Sequence, residues 1–157
     1  MLHSTPHRRI AIASDHAGFD MKAALAITLR DAGHDVVDLG PHDTARVDYP
    51  DYGYELATAV ADDRADVGIA ICGSGIGISI AVNRNPAMRC ALVSDALSAR
   101  LARQHNDANV IALGARLIGI DMARDCVDMF LATPFEGGRH GDRVAKLSTP
   151  PHAKDPA

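Results

Sequence analysis

The sequence has no tryptophan and only three phenylalanines and three tyrosines. Proteins that bind single-stranded nucleic acids stack the bases on aromatic rings, which are scarce here. The net charge of −4 gives no electrostatic attraction for a phosphate backbone. No run of about 18 consecutive apolar residues is present, so no membrane-spanning helix is predicted. We therefore expect neither a nucleic acid nor a membrane to be a partner of this chain.

Cysteine is also scarce, and its three positions show no paired spacing: Cys72, Cys90 and Cys126. A disulfide framework or a zinc ribbon would need pairs of cysteines at short intervals. The first nine residues are polar and lack the apolar core of a secretion signal. These features together favour a reducing compartment, and we expect the protein to be cytoplasmic.

The length and composition are typical of one globular domain. Apolar residues make up 47% of the 157 residues and charged residues 23%, which is sufficient for a single core. The last nine residues contain three prolines and no hydrophobic periodicity. We therefore expect a domain over residues 1–148 and a loose C-terminal tail over 149–157.

Apolar runs bounded by Gly, Asp or Asn alternate with segments of helical periodicity, which is the pattern of βαβ units. The pattern predicts strands at about 9–14, 35–39, 67–72, 89–93 and 109–113. It predicts helices at about 17–32, 51–63, 76–84, 95–104, 120–131 and 139–147. The strands are almost continuously apolar, as expected when helices cover both faces of a sheet. The predicted fold is a Rossmann-like three-layer α/β domain with a five-stranded parallel sheet and a C-terminal helix and tail.

The segment from Asp66 to Ile78 carries the clearest functional signal. An apolar strand ends in Cys72, and a glycine-rich turn and an apolar helix follow at once. In open α/β sheets ligands bind at the carboxyl ends of the strands. Glycines allow backbone N–H groups to approach a ligand closely, and the helix presents its positive end there. A thiol held in that field should lose its proton more easily than a free thiol.

Four further polar clusters are predicted in the sequence. Like the Cys72 turn, each is expected in a loop that follows a strand. They are Ser14 to Gly18, Arg46 to Pro50, Arg103 to Asp107 with Gly114 to Arg116 beyond the next strand, and Glu136 to Arg143. Loops at strand ends are where ligand-binding residues concentrate in this fold class. The clusters therefore predict one binding site at a shared edge of the sheet.

These clusters carry a family resemblance. The motifs Ser-Asp-His-Ala-Gly, Asp-Tyr-Pro, Ile-Cys-Gly-Ser-Gly-Ile-Gly, Arg-Gln-His-Asn-Asp-Ala-Asn and Glu-Gly-Gly-Arg-His-x-x-Arg occur in this order from about Arg9 to Leu147. Their order and spacing resemble ribose-5-phosphate isomerases of the B type. The resemblance implies interconversion of ribose 5-phosphate and ribulose 5-phosphate in the pentose phosphate pathway. It also implies that no metal or organic cofactor is needed, and that the enzyme is a homodimer or a tetramer with active sites shared between subunits.

The resemblance also implies roles for individual residues. Cys72 matches the base that moves the proton between carbons, and the Ser74 hydroxyl with the turn around it matches the oxyanion pocket. His105 matches the residue that opens the sugar ring. Arg139 and Arg143 match the pair that binds the phosphate in the family. Their spacing of four residues would place both side chains on the same side of a helix. The remaining substrate-binding positions implied are Asp15, His16, Gly73, Gly75, Ile76, Gly77, Asn106 and Arg116.

Each of these residues also has a structural interpretation. A free cysteine is most often a small core residue, which is how we interpret Cys90 and Cys126. His105 could simply face the dipole at a helix C-terminus, and two arginines on a terminal helix are often solvated.

Other functions also remain open. Alternating glycines occur in dinucleotide-binding turns, although the spacing here is not G-x-G-x-x-G. Asp15, His16, Cys72 and His105 could form a hydrolytic metal site, although none of them has metal-motif spacing. Within the family, allose 6-phosphate or galactose 6-phosphate is the alternative substrate.

Overall fold

The computed structural model of the protein describes residues 5–151, which alternate between strands and helices. The strands are β1 (Arg9–Ser14), β2 (Asp35–Asp38), β3 (Val67–Cys72), β4 (Cys90–Leu92) and β5 (Val110–Gly114). The helices are α1 (Phe19–Asp31), α2 (Tyr49–Ala61), α3 (Ile76–Val82), α4 (Ala96–Asn106), α5 (Ile120–Ala132) and α6 (Arg139–Leu147). Every element predicted from the sequence is present, with bounds that differ by a few residues.

The five strands form one parallel sheet in the order β2-β1-β3-β5-β4. The central pair β3 and β5 aligns Gly68 with Val110 and Cys72 with Gly114. The chain therefore reverses its winding direction between β1 and β3, which is where open sheets form a ligand crevice. The predicted three-layer α/β fold is confirmed.

Alternate residues of each strand belong to two separate cores, one on each face of the sheet. Ile10, Ile12, Ile69 and Ile71 pack against α1, α4 and α5. Ala13, Ala70 and Cys72 lie on the other face, with buried residues of α2 and α3. Both faces are covered, so the strands carry apolar residues at nearly every position.

One of the buried side chains carries a full positive charge in the sheet's helical layer. Lys22 of α1 is only 2% exposed, and its Nζ lies 2.8 and 2.9 Å from the two carboxylate oxygens of Asp38. The Asp38 carboxylate also accepts a hydrogen bond from the N–H of Gly40. A buried ammonium group needs such a partner because its desolvation is costly. The pair therefore joins α1 to the end of the edge strand β2.

Two of the polar clusters do not follow strands, contrary to the sequence-based expectation. Arg103 to Asp107 forms the last turn of α4 and its cap, before β5. Glu136 to Arg143 follows helix α5 and enters α6, which packs on α4. Helices in this fold run antiparallel to the strands, so the end of α4 lies at the amino end of the sheet.

None of the helices within residues 5–151 combines the length and the apolar character needed to cross a bilayer. Of the predicted tail, residues 149–151 are exposed and follow α6. Residues 152–157 lie outside the described residues, so the division at residue 148 stays a prediction.

Candidate active site

Cys72 is the last residue of β3, and its sulfur faces the turn that follows. The Gly75 N–H donates a hydrogen bond to the Cys72 Sγ over 3.1 Å. The next N–H, of Ile76, donates to the Ser74 hydroxyl oxygen over 3.2 Å. Helix α3 begins at Ile76, so these donors lie at its positive end. The turn thus directs one backbone N–H at the Cys72 sulfur and the next at the Ser74 hydroxyl.

Two glycines of the turn are required by its geometry. Gly75 has φ of 75°, and a Cβ there would lie 2.6 Å from Leu92 and 2.8 Å from the backbone of Leu113. A Cβ on Gly77 would lie 2.6 Å from the ring of Tyr49. Side chains at these positions would displace the turn from the sulfur. Glycine therefore allows both the tight turn and the close approach of Tyr49.

The turn opens into a hollow of about 340 Å³. Although Cys72 is only 4% exposed, it contributes to the wall of this hollow. The other lining residues come from the ends of β1 and β5, from the start of α2 and from the turn itself: Asp15, His16, Ala17, Tyr49, Gly73, Ser74, Gly77, Arg116 and Leu117. The carboxyl ends of the three central strands thus meet in one concave site.

Asp15 and His16 are held in place at the end of β1. Asp15 is buried, and one of its carboxylate oxygens accepts a hydrogen bond from the Gly18 N–H over 3.1 Å. His16 Nδ1 lies 3.2 Å from the carbonyl oxygen of Val47 and 3.3 Å from its N–H. His16 therefore positions the loop that leads to Tyr49, in addition to lining the hollow.

Arg116 brings a positive charge to the same hollow. Its N–H donates to the carbonyl of Gly73 over 2.9 Å, and its side chain passes over the Gly73 backbone. Arg116 is exposed, since it lies in the turn after β5. The hollow thus combines a thiol, a carboxylate and a guanidinium group, which suits an anionic polar ligand.

A second cluster lies where α4 and α6 meet. The rings of His105 and His140 are stacked, with centroids 4.3 Å apart and planes 11° from parallel. The carboxylate of Glu136 lies 3.5 Å from His140 Nε2. Burial lowers the pKa of His140 below the ordinary imidazole value, and the nearby His105 and Arg139 lower it further. His140 is therefore neutral near pH 7.

The other predicted binding residues of this half of the chain surround that cluster. Arg139 and Arg143 lie on α6, and both are exposed. Asn106 lies in a separate hollow of about 430 Å³, with Arg89, Cys90 and Leu147. None of these residues lines the hollow around Cys72.

The two clusters lie at opposite ends of the sheet. Arg89, which precedes β4, donates a hydrogen bond to the carbonyl of Asn106 over 3.1 Å. Cys72, by contrast, aligns with Gly114 at the far end of β5. The two clusters are therefore separated along the strand direction by the length of β5, which is about 13 Å at about 3.3 Å per residue. The hydrolytic metal site considered above does not form within one chain, because His105 lies far from Asp15, His16 and Cys72.

Two residues at these clusters were assigned no functional role from the sequence. Tyr49 lines the Cys72 hollow, and its position in the Asp-Tyr-Pro motif was the available signal. Glu136 contacts His140 four residues further along, a spacing that brings side chains together across one helical turn.

The other two cysteines are not suited to thiolate chemistry. Burial raises the pKa of Cys90 to about 12. Burial also raises the pKa of Cys126 to about 11, with a contribution from Asp95. Both thiols therefore remain protonated near neutral pH.

Comparison with known proteins agrees with this architecture. The family model described as Ribose/Galactose Isomerase matches residues 10–147. The chain is 43% identical to ribose-5-phosphate isomerase B of Escherichia coli, over 90% of this chain and 95% of that protein. The structure of ribose-5-phosphate isomerase B of Clostridium thermocellum superposes with a TM-score of 0.88 at 47% identity, covering 89% of this chain and 95% of the other. The structure of ribose-5-phosphate isomerase B of Mycoplasma genitalium was solved with bound ribulose-5-phosphate. It superposes with a TM-score of 0.86 at 41% identity, covering 89% of this chain and 93% of the other. The matches span both clusters and the sheet between them, and the chain belongs to the Ribose/Galactose Isomerase family.

Proposed function

We propose that this protein interconverts ribose 5-phosphate and ribulose 5-phosphate, with Cys72 as the base. The observation that carries the proposal is the Cys72 sulfur at the wall of the hollow that Asp15, Ser74 and Arg116 also line, with the Gly75 N–H 3.1 Å away. The compared relatives from Escherichia coli, Clostridium thermocellum and Mycoplasma genitalium are all named for ribose 5-phosphate isomerisation. This is a reaction of the pentose phosphate pathway, and we place it in the cytoplasm, where the three free cysteines stay reduced.

The reaction moves a proton between C2 and C1 through an enediolate, which requires a base and donors for the developing oxyanion. The Cys72 thiolate removes the proton from carbon and returns it to the neighbouring carbon. The Ser74 hydroxyl and the N–H groups of the turn from Gly73 to Gly77 stabilise the oxyanion. Asp15 and His16 bind the sugar hydroxyls from the end of β1. Each of these groups belongs to the hollow at the carboxyl ends of the strands.

Ring opening and phosphate binding require the second cluster. His105 transfers protons at the ring oxygen and the C1 hydroxyl, and Asn106 binds the sugar beside it. Arg139 and Arg143 bind the phosphate with their planar guanidinium groups, assisted by Arg116. An extended five-carbon sugar phosphate is about 8 Å long, judged from C–C bonds of about 1.5 Å. It does not reach across the roughly 13 Å that separates the clusters in one chain.

We therefore propose that the active site forms between two copies of the chain. The Cys72 hollow of one protomer would face the His105 and Arg143 end of its partner. An exposed apolar surface beside the Cys72 turn supports this arrangement: Ile76, Ile80, Leu92 and Leu97 are each between 42% and 55% exposed. Exposed apolar residues that cluster in this way mark protein–protein contacts. A homodimer is the smallest closed assembly that completes the site, and a tetramer would be two such dimers.

Mixing two inactive variants tests the shared site. Cys72→Ala and His105→Asn each remove one half, so each homodimer should be inactive. If the variants are unfolded together and refolded, heterodimers contain one intact site and one doubly substituted site. An equal mixture should recover about a quarter of the wild-type activity, since half of the dimers are mixed and each has one working site. No recovery, with mixed dimers shown by mass spectrometry, would contradict the shared site.

Allose 6-phosphate and galactose 6-phosphate are the alternative substrates, and the family description itself includes galactose. An additional carbon lengthens the distance between the phosphate and the reacting carbon by about one C–C bond. A coupled assay with ribose 5-phosphate, allose 6-phosphate and galactose 6-phosphate decides between them. We expect the highest kcat/KM with ribose 5-phosphate, and a preference for either hexose would overturn the assignment.

A further inference from the structure

Among residues 5–151, one group of three side chains places potential metal ligands close together: His105, Glu136 and His140. One ligand atom from each residue lies within 4.8 Å of the other two. The group lies outside the Cys72 hollow, and the isomerase mechanism uses only His105 from it. Two imidazoles and one carboxylate are the ligand set of many zinc sites that keep a fourth position open.

Backbone contacts hold the three residues together. The Glu136 N–H donates to the carbonyl of Gln104 over 3.1 Å, which fixes the segment before α6 against the turn that carries His105. The His140 N–H donates to the carbonyl of Gly137 over 3.1 Å and begins the first turn of α6. The ligands therefore come from the end of one helix, a loop and the start of another helix.

One of the three residues has an unsatisfied polar atom directed into the group. His140 is 7% exposed, and its Nε2 is buried without a hydrogen-bond partner. The Glu136 Oε2, at 3.5 Å, is the nearby acceptor, but the contact does not form a hydrogen bond. Buried polar nitrogens in native proteins almost always have a partner. A cation between Nε2 and the carboxylate would supply one.

We propose that His105, Glu136 and His140 form a binding site for Zn²⁺ or a similar borderline divalent cation. Tetrahedral Zn²⁺ with bonds of about 2.1 Å places its ligand atoms about 3.4 Å apart, so distances within the group must shorten by up to about 1.4 Å. The stacked rings of His105 and His140 must also rotate, because parallel lone pairs do not converge on one ion. Half-buried His105 and exposed Glu136 can make these movements. The charges of Arg139 and Arg143 nearby oppose a dication and favour reversible binding.

Zn²⁺ at this site would inhibit the enzyme, a consequence that rests on the proposed function. The cation would occupy the His105 lone pair, which ring opening requires for proton transfer. The same ion would lie beside the arginines that bind the substrate phosphate. The isomerase would therefore be active without the metal and reversibly inhibited by it.

Metal binding is tested first, by a readout that does not depend on turnover. Titration of the whole protein with Zn²⁺ in a calorimeter, and with Co²⁺ followed by its visible absorption, should show one ion per chain. Glu136→Gln should weaken binding at least tenfold. Asp142→Asn removes an exposed carboxylate from the same helix and should bind Zn²⁺ like the wild type. Cys72→Ser should also bind normally, because the thiol is not a ligand.

Inhibition is tested next with the same proteins. Zn²⁺ should inhibit the wild type and Asp142→Asn, and a chelator should restore their activity. Glu136→Gln should keep its metal-free activity and resist inhibition. Unchanged binding in Glu136→Gln, or loss of binding in Cys72→Ser, would overturn the site. Binding without inhibition would overturn its inhibitory role. Absence of turnover by the metal-free wild type would instead contradict the proposed function, and the titration would still test the site.

Discussion

The backbone N–H of Gly75 donates a hydrogen bond to the sulfur of Cys72 over 3.1 Å. This contact requires the left-handed conformation of Gly75, whose φ is 75°. An amide hydrogen directed at a sulfur stabilises the thiolate more than the thiol. The turn therefore places a hydrogen-bond donor against the sulfur of the residue that we propose as the base.

Replacing Cys72 with alanine should abolish isomerisation while the protein still binds its sugar phosphate. A positioned general base contributes about 10²–10⁴-fold to the rate, so kcat should fall by at least about a hundredfold. A coupled assay measures kcat, and calorimetry with ribose 5-phosphate measures binding. Cys126→Ala is the matched control, since Cys126 is buried in the opposite core. Full activity in Cys72→Ala would reassign the base.

Alkylation should distinguish Cys72 from the other two cysteines. Burial raises the pKa of Cys90 to about 12 and that of Cys126 to about 11, so neither forms the reactive thiolate at pH 7.5. Iodoacetamide should therefore modify Cys72 first, and ribose 5-phosphate should slow that modification. Peptide mapping by mass spectrometry identifies the labelled residue. Faster labelling of Cys90 would contradict the assignment of Cys72 as the reactive cysteine.

Replacing Arg143 with alanine should raise KM more than it lowers kcat. A hydrogen bond to a charged group contributes about 1.5–3 kcal/mol, so KM should increase about tenfold or more. Lys146→Ala removes an exposed positive charge from the same helix and should leave KM near its wild-type value. Steady-state kinetics of both variants checks this prediction. Equal KM values for Arg143→Ala and wild type would remove Arg143 from the phosphate site.

Asp66 should make stability depend on pH in the acidic range. The Arg9 guanidinium lies 2.7 Å from the Asp66 carboxylate, and its hydrogen bonds lower the pKa of Asp66. A carboxylate with a lowered pKa stabilises the folded state above its unfolded pKa, which is about 3.9. That contribution is lost as the pH falls through the folded pKa.

Asp66→Asn should therefore unfold at a lower urea concentration than the wild type at pH 7, and the difference should narrow below about pH 4. Urea unfolding followed by circular dichroism at both pH values measures it. Asp62→Asn is a control for charge alone, because Asp62 lies outside the Arg9 contacts at the end of α2. A difference that is the same at both pH values would show that Asp66 acts through its shape and not through its ionisation.

The secondary structure was predictable from the sequence because local patterns determine it. The strands read as apolar runs, and the glycine turn after Cys72 marks the strand-to-helix connection in the observed place. Lys22 was not predictable as a core residue. Its position on the buried face of α1 depends on Asp38, which lies 16 residues away along the chain. A pattern of hydrophobicity does not contain such a partner.

The placement of the polar clusters was predictable only in part. Asp15, Cys72 and Arg116 lie at strand ends, so their meeting at one edge of the sheet follows from the βαβ pattern. His105 was expected at the same edge but lies at the other end, because the run from Arg103 to Asn106 continues helix α4. The predicted helix over 95–104 already left His105 between a helix and a strand, so the error lay in counting that loop among the loops that follow strands.

The sequence by itself determined the parallel α/β fold, the turn after Cys72 and the family, because each is carried by short motifs and by the order of those motifs along the chain. The tertiary structure decided that the thiol and the imidazole stand at opposite ends of one sheet. It also decided that His105, Glu136 and His140 meet in one group. These relationships follow from how helices α4 and α6 pack on each other, and packing brings together side chains whose order in the sequence does not specify their distance in space.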